Sequence, residues 1–355
     1  MPTEILAEIV GLKYTPLLCS ELDEVDGNEL ENALANRGQF ILEVSARNKI
    51  AVSCWVSPKR TRSYPYARVY NTLGFSGKKV TIIPVVKDEG LDGDRDFLQW
   101  DTISLMSLLG VYVIIAYYVH ADKNPRYQNK ITNQRFSARH VQNEIKELLS
   151  YQSDALHWNL SRIDNIAAMA EAALQSYDTI SEVLGVRMHS RDSALRRIEE
   201  LDKGRTEFMD SSRERARKAQ QRESVTDQPK ERLEGEKARI TIRNYLGGKY
   251  YFTCDEVEVH GDEVYLVEAK HTETDEFPKK GDIKDGLLKL ALFTNLRKVT
   301  VEGHQYRAVP FLKLTTRSRK LSLSDTQADI LESVKKEAAL NGFGIRINDR
   351  SVNLT

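Results

Sequence analysis

The chain has 355 residues, of which 41% are hydrophobic and 29% charged, and its 52 basic side chains balance 52 acidic ones. This length is too great for one ordinary core and predicts two domains, or one domain with a helical extension. The formal charge of zero excludes a histone-like coating of nucleic acid and leaves room for one localised basic cleft.

The first third of the chain predicts an α/β unit. GNELENALAN has the pattern of a short helix, and the strand-like runs QFILEVSA, KIAVSCWVS and KKVTIIPVVK follow. FLQWDTISLMSLLG then has helical spacing, and VYVIIAYYVHA is a continuous apolar run, typical of a strand buried on both faces. We therefore assign residues 1–135 to an N-terminal α/β domain.

From about residue 136 the pattern changes to a period of 3.6 residues. Val141, Ile145 and Leu148 follow helical spacing, and Gly185 is a suitable stop signal. We assign residues 136–225 to a helical region that connects the two domains and provides the interface of a dimer.

The last third again mixes helix and strand signals. KERLEGEKARITIRNYLGG predicts a helix, and YYFTCDEVEVHGDEVYLVEAKHTET predicts two strands joined by a tight turn at His260-Gly261-Asp262. DIKDGLLKLALFTNLRK predicts an amphipathic helix, QYRAVPFLKLT a strand, and Asp325 to Leu340 a final helix that Ser324 caps and Gly342 ends.

Three cysteines and the apolar content bear on the compartment. Cys19, Cys54 and Cys254 lie far apart and form no CxxC pair, which indicates a reducing compartment without a zinc site. The longest apolar block is interrupted by Gly110 and is shorter than the roughly 20 residues of a membrane span. We expect a soluble, cytoplasmic protein with no membrane partner.

The two strands of the predicted hairpin carry charges that could form a site. Asp255 lies on the first strand, and Glu268 and Lys270 share one face of the second because strand side chains alternate. The alternative is a half-exposed sheet face with an ordinary Glu–Lys pair. Glu256 replaces Asp255 if the register is shifted by one residue. The remaining acids of the strands are assigned to solvent: Glu256, Glu258 and Glu263.

The order helix, strand with Asp255, strand with Glu268-x-Lys270, helix, strand resembles the PD-(D/E)xK nuclease superfamily, and restriction endonucleases in particular. The resemblance covers about residues 229–316 and departs from the full signature where Cys254, rather than proline, precedes Asp255. It implies an α/β fold in which residues 226–355 form a restriction-endonuclease-like core, a mixed sheet flanked by helices. It also implies products with 5′-phosphate and 3′-hydroxyl ends.

The chemistry of phosphodiester hydrolysis suits these residue types. A hard divalent cation neutralises charge on the phosphate, and magnesium needs only one or two carboxylates together with waters and a substrate phosphate. Asp255 and Glu268 are the expected metal ligands, and Lys270 is expected to orient the attacking water or stabilise the transition state. The family often adds a glutamate from the preceding helix. Three acids compete for that role, with Glu236 preferred: Glu231, Glu234 and Glu236.

A basic segment provides a candidate DNA contact. Residues 44–80 contain eight lysines and arginines and no acid, and SPKRTRSYPYARVY interleaves basic groups with tyrosines. That composition favours contacts to phosphates and bases, although a solvated loop is the alternative. The expected DNA-binding residues are Lys59, Arg60, Arg62, Tyr64, Tyr66 and Arg68.

Together these features predict a magnesium-dependent, sequence-specific double-stranded DNA endonuclease, a type II restriction enzyme. The chain has no GxxxxGK[ST] motif that would indicate a translocating restriction subunit. Palindromic targets favour a homodimer, and a companion DNA methyltransferase is the expected partner. Two alternatives remain: a catalytically silent nucleic-acid-binding protein with a nuclease-like fold, and a structure-specific repair or CRISPR-associated nuclease.

Overall fold

The chain forms two compact units in the computed structural model. The terminal unit combines residues 1–20 with 213–355, and the central unit spans residues 21–212. The structure describes residues 3–46, 48–58, 63–202, 236–245, 249–317, 323–348 and 350–354. Strand β1 (Thr3–Glu8) opens the terminal unit. Within the described ranges, no helix is long and apolar enough to cross a membrane.

The central unit is a mixed α/β structure. Its strands are β2 (Glu24–Asp26), β3 (Gln39–Ser45), β4 (Asn48–Cys54), β5 (Lys79–Pro84), β6 (Val86–Asp88), β7 (Arg95–Phe97), β8 (Tyr112–Ala116), β9 (Tyr118–Lys123) and β10 (Ile131–Phe136). Its helices are α1 (Leu30–Asn36), α2 (Ser63–Thr72), α3 (Trp100–Leu108), α4 (Ala138–Ser150), α5 (Ala155–Ile163), α6 (Ile166–Leu184) and α7 (Arg191–Asp202).

The five-stranded sheet of this unit has the order β2-β3-β4-β5-β8. Strands β4, β5 and β8 are parallel, with α2 and α3 in the crossovers, and their continuous apolar runs are buried. The strands predicted for the first third of the chain are thereby confirmed. The run VYVIIAYYVHA is an exception, because it breaks at Tyr117 into β8 and β9.

Helices α4, α5 and α6 contact the strands of the same unit. Trp158 of α5 is fully buried and donates a 2.8 Å hydrogen bond to the carbonyl of Val113, and Asn159 accepts a 2.7 Å bond from the Val113 amide. The helix stop predicted at Gly185 is confirmed by its left-handed φ of 60°. These helices pack on the strands that precede them, so the central unit continues through the boundary predicted at residue 135.

The terminal unit contains the remaining elements. They are β11 (Glu236–Arg243), β12 (Lys249–His260), β13 (Glu263–His271), α8 (Lys280–Phe293), β14 (Arg297–Val301), β15 (His304–Thr315), α9 (Asp325–Asn341), β16 (Gly344–Ile347) and β17 (Arg350–Ser351). The final helix is confirmed, with a capping box at Ser324 and a left-handed Gly342 at its end. The helix predicted for residues 230–248 is wrong where the structure describes it, because residues 236–243 form strand β11.

Six strands of the terminal unit close into a barrel-like ring. Around the ring the neighbours are β12, β11, β1, β14, β15 and β13, and β13 pairs with β12 to complete it. Strand β1 runs parallel to β11 and antiparallel to β14. Strand β15 runs parallel to β13 and is reached through α8 and β14. The predicted mixed α/β class is confirmed, and the sheet contains both parallel and antiparallel pairs.

The segment after β1 is held to the terminal unit by side chains that bind its backbone. Asn295 bonds both the amide and the carbonyl of Lys13, and Asn341 bonds both groups of Thr15 at 2.7 and 2.9 Å. The fully buried Glu337 accepts bonds from the amides of residues 17 and 18. The extended backbone thus has hydrogen-bond partners without belonging to a sheet.

Candidate active site

The hairpin of β12 and β13 carries three of the four predicted catalytic residues. A left-handed Gly261 (φ 60°) occupies the turn, and the strands pair antiparallel with Glu256 opposite Val267. The same register carried on by one residue would place Asp255 opposite Glu268. Glu268 and Lys270 alternate along β13 and therefore lie on one face of it.

A β-bulge adjusts the position of Asp255. The pairing of β11 with β12 shifts between Glu236–Val257 and Ala238–Cys254, so that β12 carries an extra residue at 255–256. Bulges locally disrupt the ladder and redirect side chains. The carboxylate of Asp255 accepts a 2.8 Å hydrogen bond from the amide of Ala269, which fixes it against the strand that carries Glu268.

Helix α8 adds two charged residues that the motif did not predict. Asp285 lies 2.5 Å from the ammonium of Lys270, and the ammonium of Lys289 lies 2.8 Å from Oε2 of Glu268. Lys270 also lies 2.9 Å from Oε1 of Glu268. The four side chains form a chain of alternating charge in the order Asp285, Lys270, Glu268, Lys289.

A glycine in α8 makes room for this chain. A Cβ atom added at Gly286 would lie 3.2 Å from Cε of Lys270 and 3.0 Å from a methyl group of Leu312. Both contacts are tighter than ordinary van der Waals contacts, so any side chain at this position would push against Lys270. Gly286 therefore lets the lysine stem run along the helix to reach Asp285.

Burial and neighbouring charges set the pKa values of the site. Glu268 has no exposed surface; burial acts to raise its pKa, but the ammonium groups of Lys270 and Lys289 outweigh burial and hold it below its ordinary value. Burial acts to lower the pKa of Lys270, and the carboxylates of Glu268 and Asp285 raise it well above its ordinary value. Burial and the nearby Glu268 carboxylate raise the pKa of Asp255 to about 7.

One oxygen of Glu268 tests whether the residues suit a metal ion. Oε1 is buried and, among the described residues, has no hydrogen bond of good geometry, although Lys270 lies within ion-pair distance. Asp255 and Glu268 supply carboxylate oxygens, the ligands that magnesium prefers. The described residues contain no group of three His, Cys, Asp or Glu side chains that could hold a metal. Two carboxylates fit magnesium, because it retains waters and binds the substrate phosphate.

The acids assigned to solvent are mostly bound to cations instead. Glu256 is 2% exposed and lies 2.9 Å from the equally buried Lys313, so its assignment to the surface is wrong. Glu258 forms two bonds to Arg346, which hold its pKa at about 2. Glu263 likewise forms an ion pair with an arginine, Arg307.

The upstream glutamates do not lie on a described helix. Glu236 is the first residue of strand β11, where it pairs with Val257, so the expectation of a helical glutamate is wrong for this residue. Its side chain is outside what the structure describes. The same holds for all of Glu231 and Glu234.

Three of the six predicted DNA-binding residues lie within the described residues. Tyr66 is 6% exposed and packs edge-on against Trp55 at 5.3 Å between ring centroids, and Arg68 donates a 2.8 Å bond to the carbonyl of Cys54. These two side chains therefore support the fold of the central unit. Three of the other candidates lie outside the described residues: Lys59, Arg60 and Arg62. Tyr64 belongs to α2, but its side chain is not described.

Other lysines of the basic segment also have partners within the central unit. Lys78 donates to the carbonyls of Leu148 and Tyr151 at 2.6 Å, and Lys49 pairs with Glu24. Lys78 thus contacts the C-terminal end of α4, and Lys49 contacts β2, so both side chains stabilise the central unit.

Comparisons of the chain with family models, curated proteins and solved structures found no match. Its function is therefore inferred from the chemistry of the site.

Proposed function

We propose that the terminal unit is a magnesium-dependent nuclease that hydrolyses phosphodiester bonds of double-stranded DNA. The observation that carries this proposal is the convergence of Asp255, Glu268 and Lys270 on the β12–β13 hairpin, with Glu268 fully buried between two ammonium groups. A solvated sheet face would leave these charges in water, where an ion pair contributes little. Here burial and directed contacts favour a built site.

Asp255 and Glu268 are the residues that would hold magnesium. When bound, the ion neutralises charge on the phosphate and lowers the pKa of a coordinated water. Lys270 stays protonated because its carboxylate neighbours raise its pKa, so it acts as a hydrogen-bond donor and positive charge and not as a general base. Asp285 holds the Lys270 ammonium at a fixed position, and Lys289 does the same for the Glu268 carboxylate.

The specific form that we propose is a type II restriction endonuclease acting as a homodimer. The absence of a GxxxxGK[ST] motif from the sequence supports an enzyme that does not translocate on DNA, and a palindromic target would match two-fold symmetry. A DNA methyltransferase is the companion activity that such an enzyme requires.

A second candidate is a nucleic-acid-binding protein that has no catalytic activity. It is favoured by the contacts of Glu268, because each of its two oxygens already lies within 2.9 Å of a lysine ammonium. A metal ion must compete with these cations for the same oxygens.

Cleavage of supercoiled plasmid DNA separates these candidates. With magnesium we expect discrete linear fragments from the wild-type protein and none from Lys270→Ala or Asp255→Ala. The matched control is Lys335→Met, which removes an exposed ion pair with Glu332 on α9 and should cleave at the wild-type rate. A smear would indicate non-specific or structure-specific cutting, and the absence of cutting would favour binding alone. Wild-type rates in both site variants would refute the assigned site.

Metal binding can be measured without catalysis. A ligand at 100 times its Kd stabilises the folded state by about 2.7 kcal/mol. Magnesium should therefore raise the Tm of the wild-type protein and of Lys335→Met, but not that of Asp255→Ala. Equal Tm increases in all three proteins would place the metal elsewhere.

A further inference from the structure

The central unit contains a cleft that the proposed nuclease site does not use. Its volume is about 530 Å³, within the range of small-molecule sites. It opens at the carboxyl ends of the parallel strands: Cys54 ends β4, Lys87 follows β5 and Tyr118 follows β8. In open α/β sheets this end of the strands is where ligands bind.

The charged side chains of the cleft are mostly cations. Four are basic and one is acidic: Arg37, Arg68, Lys87, Lys130 and Glu89. Lys87 and Lys130 both reach Glu89, at 2.6 and 3.2 Å, and the three side chains are only 18–28% exposed. Burial acts to raise the pKa of Glu89, and the two lysines outweigh burial and lower it, so the carboxylate stays ionised. Two ammonium groups thus share one carboxylate and keep a net positive charge.

Gly38 brings a further positive charge close to the backbone of the cleft. A Cβ atom at this position would lie 2.4 Å from the guanidinium carbon of Arg68, so a larger residue here would require the end of the arginine side chain to move. Arg68 is held there by its bond to the carbonyl of Cys54. The guanidinium is therefore preorganised at the cleft, and a fixed guanidinium is well suited to bind phosphate or carboxylate oxygens.

The rest of the lining combines apolar and aromatic side chains with four polar ones: Asn36, Thr132, Asn133 and Gln134. Tyr118 and Phe136 stack with 4.4 Å between ring centroids, and Ile131 and Leu34 are buried beside the cleft. A ligand that matches this lining has an anionic group and a flat body that carries hydrogen-bonding groups. Inorganic phosphate alone would match only the basic part.

We infer that this cleft binds a phosphorylated small molecule of nucleotide size. Its phosphate would lie among Arg68, Lys87 and Lys130, and its ring system would lie towards Tyr118 and Phe136. The inference stands independently of the proposed nuclease activity, because every residue of the cleft belongs to the central unit.

Calorimetric titration of the full-length protein tests this inference, with the four nucleoside 5′-monophosphates, adenosine and inorganic phosphate as probes. We expect saturable binding of at least one monophosphate below a Kd of ~1 mM, and weaker binding of adenosine and of inorganic phosphate. Lys130→Met should weaken the monophosphate about tenfold or more, through loss of a charge-assisted contact. Lys123→Met is the control, because Lys123 is an exposed lysine on β9 outside the cleft.

A steric variant guards against an indirect effect of the charge change. Ala35 is an exposed residue of α1 that lines the cleft, so Ala35→Phe should block the ligand while the helix stays folded. The inference is overturned if no monophosphate binds, or if Lys130→Met and Ala35→Phe both bind like Lys123→Met.

Discussion

The contact between Lys289 and Glu268 allows a direct test of the charge chain. Glu268 has no exposed surface, and Lys289 provides one of the two ammonium groups that balance its charge. The substitution Lys289→Met keeps most of the alkyl chain and removes that charge. We expect a less stable terminal unit and weaker DNA cleavage, because the carboxylate loses a partner that fixes its position.

The size of the effect follows from burial. Removing one partner of a fully buried pair costs about 3–5 kcal/mol. Here Glu268 keeps its contact with Lys270, and Lys289 is itself 17% exposed. We therefore expect a loss of ~2 kcal/mol, close to that of a single hydrogen bond to a charged group.

Hydrogen exchange of peptides from β12 and β13, followed by mass spectrometry, measures this loss in the terminal unit itself. All three tryptophans, Trp55, Trp100 and Trp158, lie in the central unit, so the tryptophan fluorescence transition in urea serves as an internal control that should not move. Lys335→Met should change either signal by less than about 0.5 kcal/mol. Equal losses in Lys289→Met and Lys335→Met would refute the reasoning. A double variant with Glu268→Gln should lose less than the sum of the single changes.

Three further predictions concern the hairpin and its neighbours. Lys313→Met should lower the free energy of unfolding by about 3–5 kcal/mol in urea titrations, because it leaves the buried Glu256 unpaired; adding Glu256→Leu should restore most of the loss. The pKa of Glu258 falls from 4.5 to about 2 on folding, so the stability that this group contributes is present above pH 4.5 and is lost as the pH falls towards 2. In acid titrations of stability, Arg346→Met should lose less stability over this pH range than the wild-type protein. The pKa of Asp255 is raised from 3.8 to about 7 on folding, so its ionisation destabilises the folded state as the pH rises through this range. With a chelator present at pH 8, Asp255→Asn should therefore raise the free energy of unfolding by on the order of 2 kcal/mol while it abolishes cleavage. An unchanged Tm would contradict this prediction.

Local signals account for the parts of the fold that were predicted. The left-handed glycines at 185, 261 and 342 end two helices and turn one hairpin at the predicted positions. The apolar runs of β4, β5 and β8 form strands, because both faces of their sheet are buried. In each case the deciding interaction lies within a few residues of the sequence.

The error at β11 has a physical explanation. The glutamates and Gly247-Gly248 suggested a helix, yet Ala238, Ile240 and Ile242 are all fully buried and alternate with polar residues. That period of two is a strand signal, and it outweighs the helical preference of the preceding acids. The partners of this strand, β1 and β12, include one more than 230 residues earlier in the chain, so its pairing could not be inferred from nearby sequence.

The site was predicted in part for a similar reason. Asp255, Glu268 and Lys270 belong to one hairpin, so alternation along β13 and the pairing of β12 with β13 bring them together. Asp285 and Lys289 come from helix α8, whose apolar residues lie on almost every side. Charged residues on a helix that is otherwise buried were the sequence signal that could have identified these two side chains as part of the site. The partners of Glu256 and Glu258 come from β15 and β16, which only the folded sheet brings close.

The place of β1 in the six-stranded ring affects the order in which the terminal unit can fold during synthesis. Glu4 of β1 contacts Arg239 across a sequence separation of 235 residues. At ribosomal speeds of about 5–20 residues per second, β11, the parallel neighbour of β1, is synthesised on the order of tens of seconds after β1. During that time the backbone groups of β1 lack both neighbouring strands, while residues 21–212 of the central unit are synthesised. Expression of residues 213–355 alone would leave the facing edges of β11 and β14 open to pairing with other chains.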